Sequence, residues 1–247
     1  MLRKSLLLLL GVFLAANTAL AAEKVIVFAT DATWPPMEFV DANKDITGYS
    51  IDYMKAAGKE AGFTPKFVAV AWDGIFAGLN VGKYDAISSS VSITDERKKV
   101  MDFSEPYFRV RQALIVRKNS KVKDLKELVG KQVGSQISTT GTFAVKAVKG
   151  VISKTYDEVG LAIEDLHNGR IEAVVCDDPV AANYALQNEK YAKSLKIAKV
   201  MESAEVEYYG IAVKKENNGT LELINKGIQA VKAKGLDKEL QAKWIGQ

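Results

Sequence analysis

Between Asp85 and Phe108 the chain reads DAISSSVSITDERKKVMDFSEPYF, which sets Ser88, Ser89, Ser90 and Ser92 a few residues ahead of Arg97. Those residue types suit one task. A guanidinium grips a carboxylate bidentately, and Ser89, Ser90 and Ser92 with nearby backbone N–H groups could supply neutral donors to its remaining lone pairs. The pattern therefore fits a site for a small organic acid. The same residues also read as a plain helix start, with Thr94 as N-cap, Asp95 and Glu96 in the first turn and basic residues behind them. The two readings are compatible.

Other chemistry finds little support. His167 is the only histidine and sits in LHNGR at an expected helix end, which argues against a histidine-based triad or a multi-histidine metal centre and reads as a solvated cap residue. Cys176 is the only cysteine, so no intramolecular disulfide is possible, and in a strand it reads as a small hydrophobe. Asp41, Asn43 and Asp45 imitate the start of a calcium loop, but Ile46 stands where glycine is needed and Asp52 where a bidentate glutamate belongs. A β-turn between strands is the better reading there. No phosphate-cradling glycine loop is present.

The chain ends and the charge balance bound the setting. Arg3 and Lys4 precede an apolar run from Leu6 to Ala16, and Ala19-Leu20-Ala21 offers a small-x-small cleavage site. Residues 1–21 thus read as a secretory signal peptide, since the apolar run is well short of the roughly 20 residues a membrane span needs. No cysteine lies near the cleavage site to receive a lipid. The chain carries 34 basic and 30 acidic side chains, and removing Arg3 and Lys4 (34 − 2) leaves 32 against 30. Such a balanced surface makes no case for nucleic-acid binding or membrane insertion. With 48% apolar residues the mature chain is long enough for one or two good cores.

Strands and helices alternate along it. Strand-like runs are expected at Val25–Ala29, Lys66–Val70, Tyr84–Ser88, Ala113–Arg117, Lys131–Gln136 and Ala173–Cys176. Helical spacing marks Ile51–Ala61, closed by Gly62, and then Trp72–Asn80, Thr142–Lys149, Val159–Asn168 and Val180–Asn188. The fold class is α/β. No linker-like stretch divides the chain.

Several islands together resemble the periplasmic polar amino-acid binding proteins of ABC importers, solute-binding family 3. They are ATDATWPPMEF from Ala29 to Phe39, the Ser88 to Phe108 block, SQISTTGTF from Ser135 to Phe143, GRIEAVVCDDP from Gly169 to Pro179, and the tail YYGIAVKK with a terminal KWIG. The resemblance runs from about Lys24 to Gly246. It is nearest to the lysine/arginine/ornithine and histidine binders, which carry a similar SSxSIT run before the arginine, and the glutamine binder is similar too. One departure is local. The third island reads Ile137-Ser138-Thr139-Thr140-Gly141 where the family more often has Ser-Gly-Thr-Thr-Gly, which leaves open which threonine points inward.

The resemblance implies a two-lobed, type II periplasmic-binding-protein fold joined by two hinge strands. The first lobe would be discontinuous, residues 22–110 and 206–247, and the second would span 111–205. By the same resemblance Arg97 grips the α-carboxylate with Ser90 and Ser92 beside it and Thr140 reaching in from the other lobe, Asp177 receives the α-ammonium, and Asp31, Trp34 and Trp72 line the side-chain pocket. Glu38 is more weakly implicated. A soluble, monomeric periplasmic receptor follows, without cofactor or metal, that delivers a polar amino acid, a basic one by preference, to a permease in the inner membrane. Glutamine or another neutral polar amino acid is an alternative ligand. A lyase of the cyclohexadienyl dehydratase kind on the same fold, with Asp31 or Glu38 as proton donor, is the enzymatic alternative.

Overall fold

The computed structural model describes residues 24–202 and 205–246; the segment read as a signal peptide lies outside the described residues. Two five-stranded sheets organise the chain. The first runs, side by side, Phe63–Ala69, Lys24–Thr30, Ala86–Ile87, Ala212–Lys214 and Met101–Phe103. Lys24–Thr30 pairs in parallel with Phe63–Ala69 and with Ala86–Ile87, and parallel pairing of this kind demands a crossover. The helix Tyr49–Ala61 supplies it. That helix ends where Gly62 turns left-handed and returns its N–H to Gly58 O. Its start passes so close to Met37 that a Cβ on Gly48 would stand 2.3 Å from the Met37 carbonyl oxygen. Pro65 lies inside Phe63–Ala69 without harm because that strand is a sheet edge, where a missing N–H breaks no ladder.

The second sheet orders Ile152–Tyr156, Gln132–Gln136, Ala173–Asp177, Gln112–Arg117 and Leu195–Met201. Two of its inner strands, Ala173–Asp177 and Gln112–Arg117, carry apolar runs legible in the sequence, and Ala173–Asp177 is buried along its whole length. Two short antiparallel strands, Phe108–Val110 and Glu207–Tyr209, carry the chain between the sheets. Aromatic rings pack around this crossing: Tyr53 lies 5.2 Å from Tyr107, and Phe108 stacks on Tyr209 at 5.7 Å. One apolar cluster passes through them, joining Ile26 and Phe28 of the first sheet with Val174 and Cys176 of the second. The terminal KWIG docks on the first lobe, where Trp244 donates to Asp52 and meets Phe39 edge-on.

Departures from the expected elements have local causes. The helix expected from Trp72 begins only at Ile75, because Gly74 is left-handed (φ 90°), and this frees Trp72 on a turn. The helix expected at Val180 begins at Asp178 with Pro179 in its first turn, then widens over Asn183–Gln187 into a π turn. Ile152–Tyr156 and Leu195–Met201 carried no strand reading. Both are edges of the second sheet, where polar alternation replaces the apolar run. Asp41 to Asp45 is indeed a turn between Glu38–Val40 and Ile46–Thr47, closed by the Asp41 side chain accepting from the N–H groups of Asn43 and Asp45. His167 ends its helix as expected but is not a solvated cap: its Nδ1 is 2.7 Å from Ser194 Oγ and its ring meets Tyr191 edge-on.

Candidate functional site

Asp31, Trp34, Trp72, Ser89, Ser90, Ser92, Arg97, Thr140 and Asp177 all border one cavity of about 310 Å³, together with Glu38, Gln136 and Thr139. The topology explains the convergence. Asp31 follows the strand Lys24–Thr30, the serines follow Ala86–Ile87, Thr140 opens the helix after Gln132–Gln136, and Asp177 ends Ala173–Asp177. These are carboxyl ends of parallel strands in both sheets, where the loops of α/β proteins gather ligands.

Arg97 is 9% exposed and sits in the short helix Asp95–Lys98, whose N-cap Thr94 accepts from the Arg97 N–H. Its Nη1 donates to Ser92 O at 2.8 Å and its Nη2 to Ser138 O at 3.1 Å. The guanidinium lies 5.6 Å from the Trp72 ring and 5.3 Å from Phe76, so two aromatic faces hold the cation. Burial lowers its pKa to about 10, with Asp177 and Glu207 acting the other way, so the charge persists at neutral pH. No carboxylate among the described residues is ion-paired to it directly; carbonyl oxygens and aromatic rings surround it.

The acidic groups are more numerous. Asp177, 4% exposed, accepts from Gln112 Nε2 at 2.6 Å and from the Tyr209 hydroxyl. Burial first, and Glu207 second, push its carboxyl up to about 7. Asp31 accepts from Thr33 Oγ1 at 2.9 Å and from Gln136 Nε2 at 2.8 Å, and burial raises its carboxyl against those two bonds. Glu38 is 0% exposed; Ser90 Oγ donates to its Oε2 at 3.0 Å while Oε1 has no partner. Burial drives its carboxyl well above the usual carboxylate range.

The hydroxyls behave differently from the sequence expectation of a simple donor set. Ser89 Oγ accepts from the Asp31 N–H at 2.9 Å. Ser90 gives its proton to Glu38, and Ser92 gives its proton to Glu207. Of the loop threonines, Thr139 caps the following helix by accepting from Thr142 N, and Thr140 donates to Glu207 Oε1 at 2.6 Å. Ser138 carries φ 58°, the left-handed backbone that glycine adopts at least cost. Gln136, Gln112 and Glu207 escaped the sequence reading. Glu207 reaches Ser92 across 115 residues, and no local pattern announces such a contact.

Ser92 Oγ lies 3.4 Å from Thr140 Oγ1 across the cleft, and three further bonds cross from the first-sheet side to the second. Gln136 Nε2 reaches Asp31, Trp72 Nε1 reaches Ile137 O at 2.8 Å, and Arg97 Nη2 reaches Ser138 O. Trp72 therefore has two local tasks, under the Arg97 guanidinium and across the cleft.

Residues 26–247 match the family described as Bacterial extracellular solute-binding proteins, family 3. The chain belongs to that family. A probable histidine-binding protein of Neisseria gonorrhoeae is 34% identical to this family 3 protein, the match covering 94% of this chain and 87% of that one. The ABC transporter arginine-binding protein 1 of Escherichia coli (strain K12) is 33% identical, covering 97% and 99%. Among solved structures, an ancestral arginine-binding protein bound to arginine is 40% identical with a TM-score of 0.83, covering 89% of this chain and 97% of that one. The same kind of ancestral protein is also solved bound to glutamine, at 40% identity, TM-score 0.83 and coverage of 90% and 98%. An ancestral amino-acid-binding protein described as a precursor of cyclohexadienyl dehydratase is 34% identical, with a TM-score of 0.81 and coverage of 90% and 95%. The two-lobed periplasmic-binding-protein fold of the family accommodates both sheets and the two crossing strands. Among the described residues, no helix is long and apolar enough to cross a membrane.

Proposed function

We propose that the cavity holds an α-amino acid with a cationic side chain and that the protein passes it to the permease of an ABC importer from the periplasm. One observation carries the choice of side chain: three carboxyl groups, Asp31, Glu38 and Asp177, line the cavity against one guanidinium, Arg97. In an amino acid the α-carboxylate is matched by Arg97 and the α-ammonium by Asp177. Asp31 then remains as the counter-charge for a ligand cation, with no basic side chain among the other residues lining the cavity, while burial favours the protonated form of Glu38. A ligand cation supplies the missing charge, and a buried charge without a partner costs several kcal/mol. Trp34 and Trp72 flank the ligand's side chain in this reading, and Ser89 and Ser90 hold Asp31 and Glu38 in place. Thermal-shift measurement of the ligand-stripped protein against all common amino acids tests it; a basic amino acid should give the largest rise in melting temperature, and a larger rise with glutamine would move the assignment to the neutral class.

The lobe division that goes with this function is 22–110 with 206–247, against 111–205. The switch of the chain from one sheet to the other between Met101–Phe103 and Gln112–Arg117 supports the first boundary, and the return through Glu207–Tyr209 supports the second. Arg97 and Asp31 then belong to one lobe and Asp177 and Thr140 to the other. A ligand that bridges them favours closure, which is the signal a permease reads. The reading includes a monomer.

A lyase has one observation behind it as well. Glu38 lines the cavity with Oε1 unpartnered, and burial favours its protonated form, as a general acid requires. Incubation with arogenate and with prephenate decides between them; elimination products formed at a rate abolished by Glu38→Gln would favour the enzyme.

A further inference from the structure

The charge balance of the whole chain conceals a local excess. Residues 117–131 and 189–199 carry ten basic side chains against three acidic ones, and the rest of the chain beyond residue 21 is acidic on balance. The fold brings these two segments together at one end of the second sheet. Lys118 donates through Nζ to Ala192 O at 3.4 Å and through its N–H to Ser194 O at 2.6 Å, while Lys196 Nζ donates to Ser120 O at 2.8 Å. Part of the excess is neutralised in place: Arg117 pairs with Glu172, Lys190 with Glu164 and Lys199 with Asp124. Lys118, Lys121, Lys123, Lys193 and Lys196 pair with no carboxylate among the described residues, and all but the half-buried Lys196 are exposed. Lys121, Lys123 and Lys196 border one open groove. A lysine on an edge strand guards it against pairing with another chain, which accounts for Lys196 and Lys199 on Leu195–Met201. It does not account for Lys118, Lys121, Lys123 and Lys193, which lie outside that strand.

We propose that this face of the second lobe is a docking surface for an anionic phospholipid bilayer, held by lysine charge against lipid phosphates without insertion. Charge complementarity selects the occupant. None of the exposed large apolar side chains falls among residues 118–123 or 192–199, so the surface lacks the apolar centre that a protein–protein interface buries. The arginine at its margin is already engaged, with Glu172 and with the Ile171 carbonyl. The unpaired charges are all lysines, point charges on flexible stems that suit a diffuse layer of phosphates rather than one fixed anion. Clusters of about four to eight basic residues are drawn to anionic bilayers, each lysine adding roughly fivefold in affinity. The surface also stands apart from the cavity. Lys118 follows the end of Gln112–Arg117 remote from Gln112, whose amide reaches Asp177, and that length of strand puts about 20 Å between them. A bilayer held there leaves the cleft free. The surface goes beyond the amino-acid reading and does not depend on it.

The test is co-sedimentation of the protein with vesicles of phosphatidylglycerol and phosphatidylcholine in equal parts, against vesicles of phosphatidylcholine alone. The protein should bind the anionic vesicles at about 50 mM salt, leave them at about 500 mM as screening shortens the reach of each charge, and ignore the neutral ones. A variant combining Lys121→Gln, Lys123→Gln and Lys193→Gln removes three exposed charges and should weaken vesicle binding about a hundredfold. Lys59→Gln, Lys66→Gln and Lys83→Gln together change the net charge equally on exposed positions of the first lobe; that variant should lose less than about threefold, because charges beyond a Debye length are screened. Wild type that stays in the supernatant at low salt overturns the proposal, and so does full binding by the second-lobe variant. An equal loss in the first-lobe variant would assign the attraction to net charge and overturn it too, as would binding that persists at high salt or extends to phosphatidylcholine. Wild type that ignores vesicles but binds poly-L-glutamate would give the surface to an acidic protein segment instead. If circular dichroism shows the triple variant unfolded, Lys121→Gln, Lys123→Gln and Lys193→Gln taken singly carry the same test, each expected to weaken binding about fivefold.

Discussion

Arg97 and Asp177, which serve the two ends of the ligand's zwitterion in the proposed reading, meet burial in opposite ways. Arg97 is buried among carbonyls and aromatic faces, and its pKa falls only to about 10, so it stays charged. Asp177 is buried among a neutral amide and a phenol, and its carboxyl rises to about 7, so its charge is marginal. Each end is satisfied by neutral groups rather than by the other. The reason for the contrast is arithmetic: a guanidinium begins so far above neutrality that a shift of a few units leaves it cationic, whereas the same shift brings a carboxyl to the working pH. The Arg97 end is a fixed charge and the Asp177 end a conditional one that a ligand ammonium completes.

Removing the fixed charge should have the largest effect. Arg97→Ala is expected to weaken any amino-acid ligand by about a thousandfold or more, roughly 4 kcal/mol, since the α-carboxylate would be buried without a cation. Affinity within a few-fold of wild type by calorimetry would break the comparison at its stronger end.

The conditional end makes two coupled predictions of opposite sign. Asp177→Asn should weaken binding about a hundredfold, because it leaves the ammonium with neutral acceptors only. The ligand-free variant should nevertheless be more stable than wild type at pH 8, by about 2 kcal/mol in denaturant titration. Asp177 keeps its proton up to about 7 when folded but releases it near 4 when unfolded. Between those values the native state binds the extra proton, so stability falls as pH rises through the window. Asp31 and Glu38, also raised, act in the same direction. Binding runs the other way: the ammonium needs ionised Asp177, so below about pH 7 the affinity should fall by up to tenfold per pH unit with a proton released per ligand. Calorimetry in buffers of different ionisation enthalpy would show that proton, and its absence at pH 6 would contradict the account.

A smaller effect separates ligand classes. Asp31→Asn should weaken arginine by more than about tenfold and leave glutamine nearly unchanged, because only the cation loses a counter-charge. Equal weakening would mean that Asp31 serves the backbone of the loop rather than the ligand's side chain. The smallest effect concerns Ser138, whose left-handed backbone favours glycine. Ser138→Gly should raise stability by no more than about 1 kcal/mol and leave affinity within twofold, since Arg97 bonds its carbonyl and not its side chain.

How far the sequence reached follows the range of each contact. Arg97, the serines and Thr94 lie within a few residues of one another, so their shared turn was legible, and the Thr94 cap is found where expected. Trp72 was singled out on a helix that begins three residues later, because left-handed Gly74 overrides the helical spacing around it. The polar edge strands Ile152–Tyr156 and Leu195–Met201 lacked an apolar pattern to announce them. Glu207, Gln112 and Gln136 were invisible because their partners lie 28 to 115 residues away. The direction of the hydroxyl protons was beyond reach for the same reason, since it is set by those distant carboxylates.

The most direct test of the central claim isolates the ligand's side-chain charge. L-citrulline matches L-arginine in length and shape but carries a neutral urea in place of the guanidinium, and both can be titrated calorimetrically into the same ligand-stripped protein at pH 8. A cavity with Asp31 beyond the zwitterion pair should bind arginine at least about tenfold more tightly than citrulline. Citrulline or glutamine binding as tightly as arginine would contradict the account, since the acidic excess would then have no cation to meet.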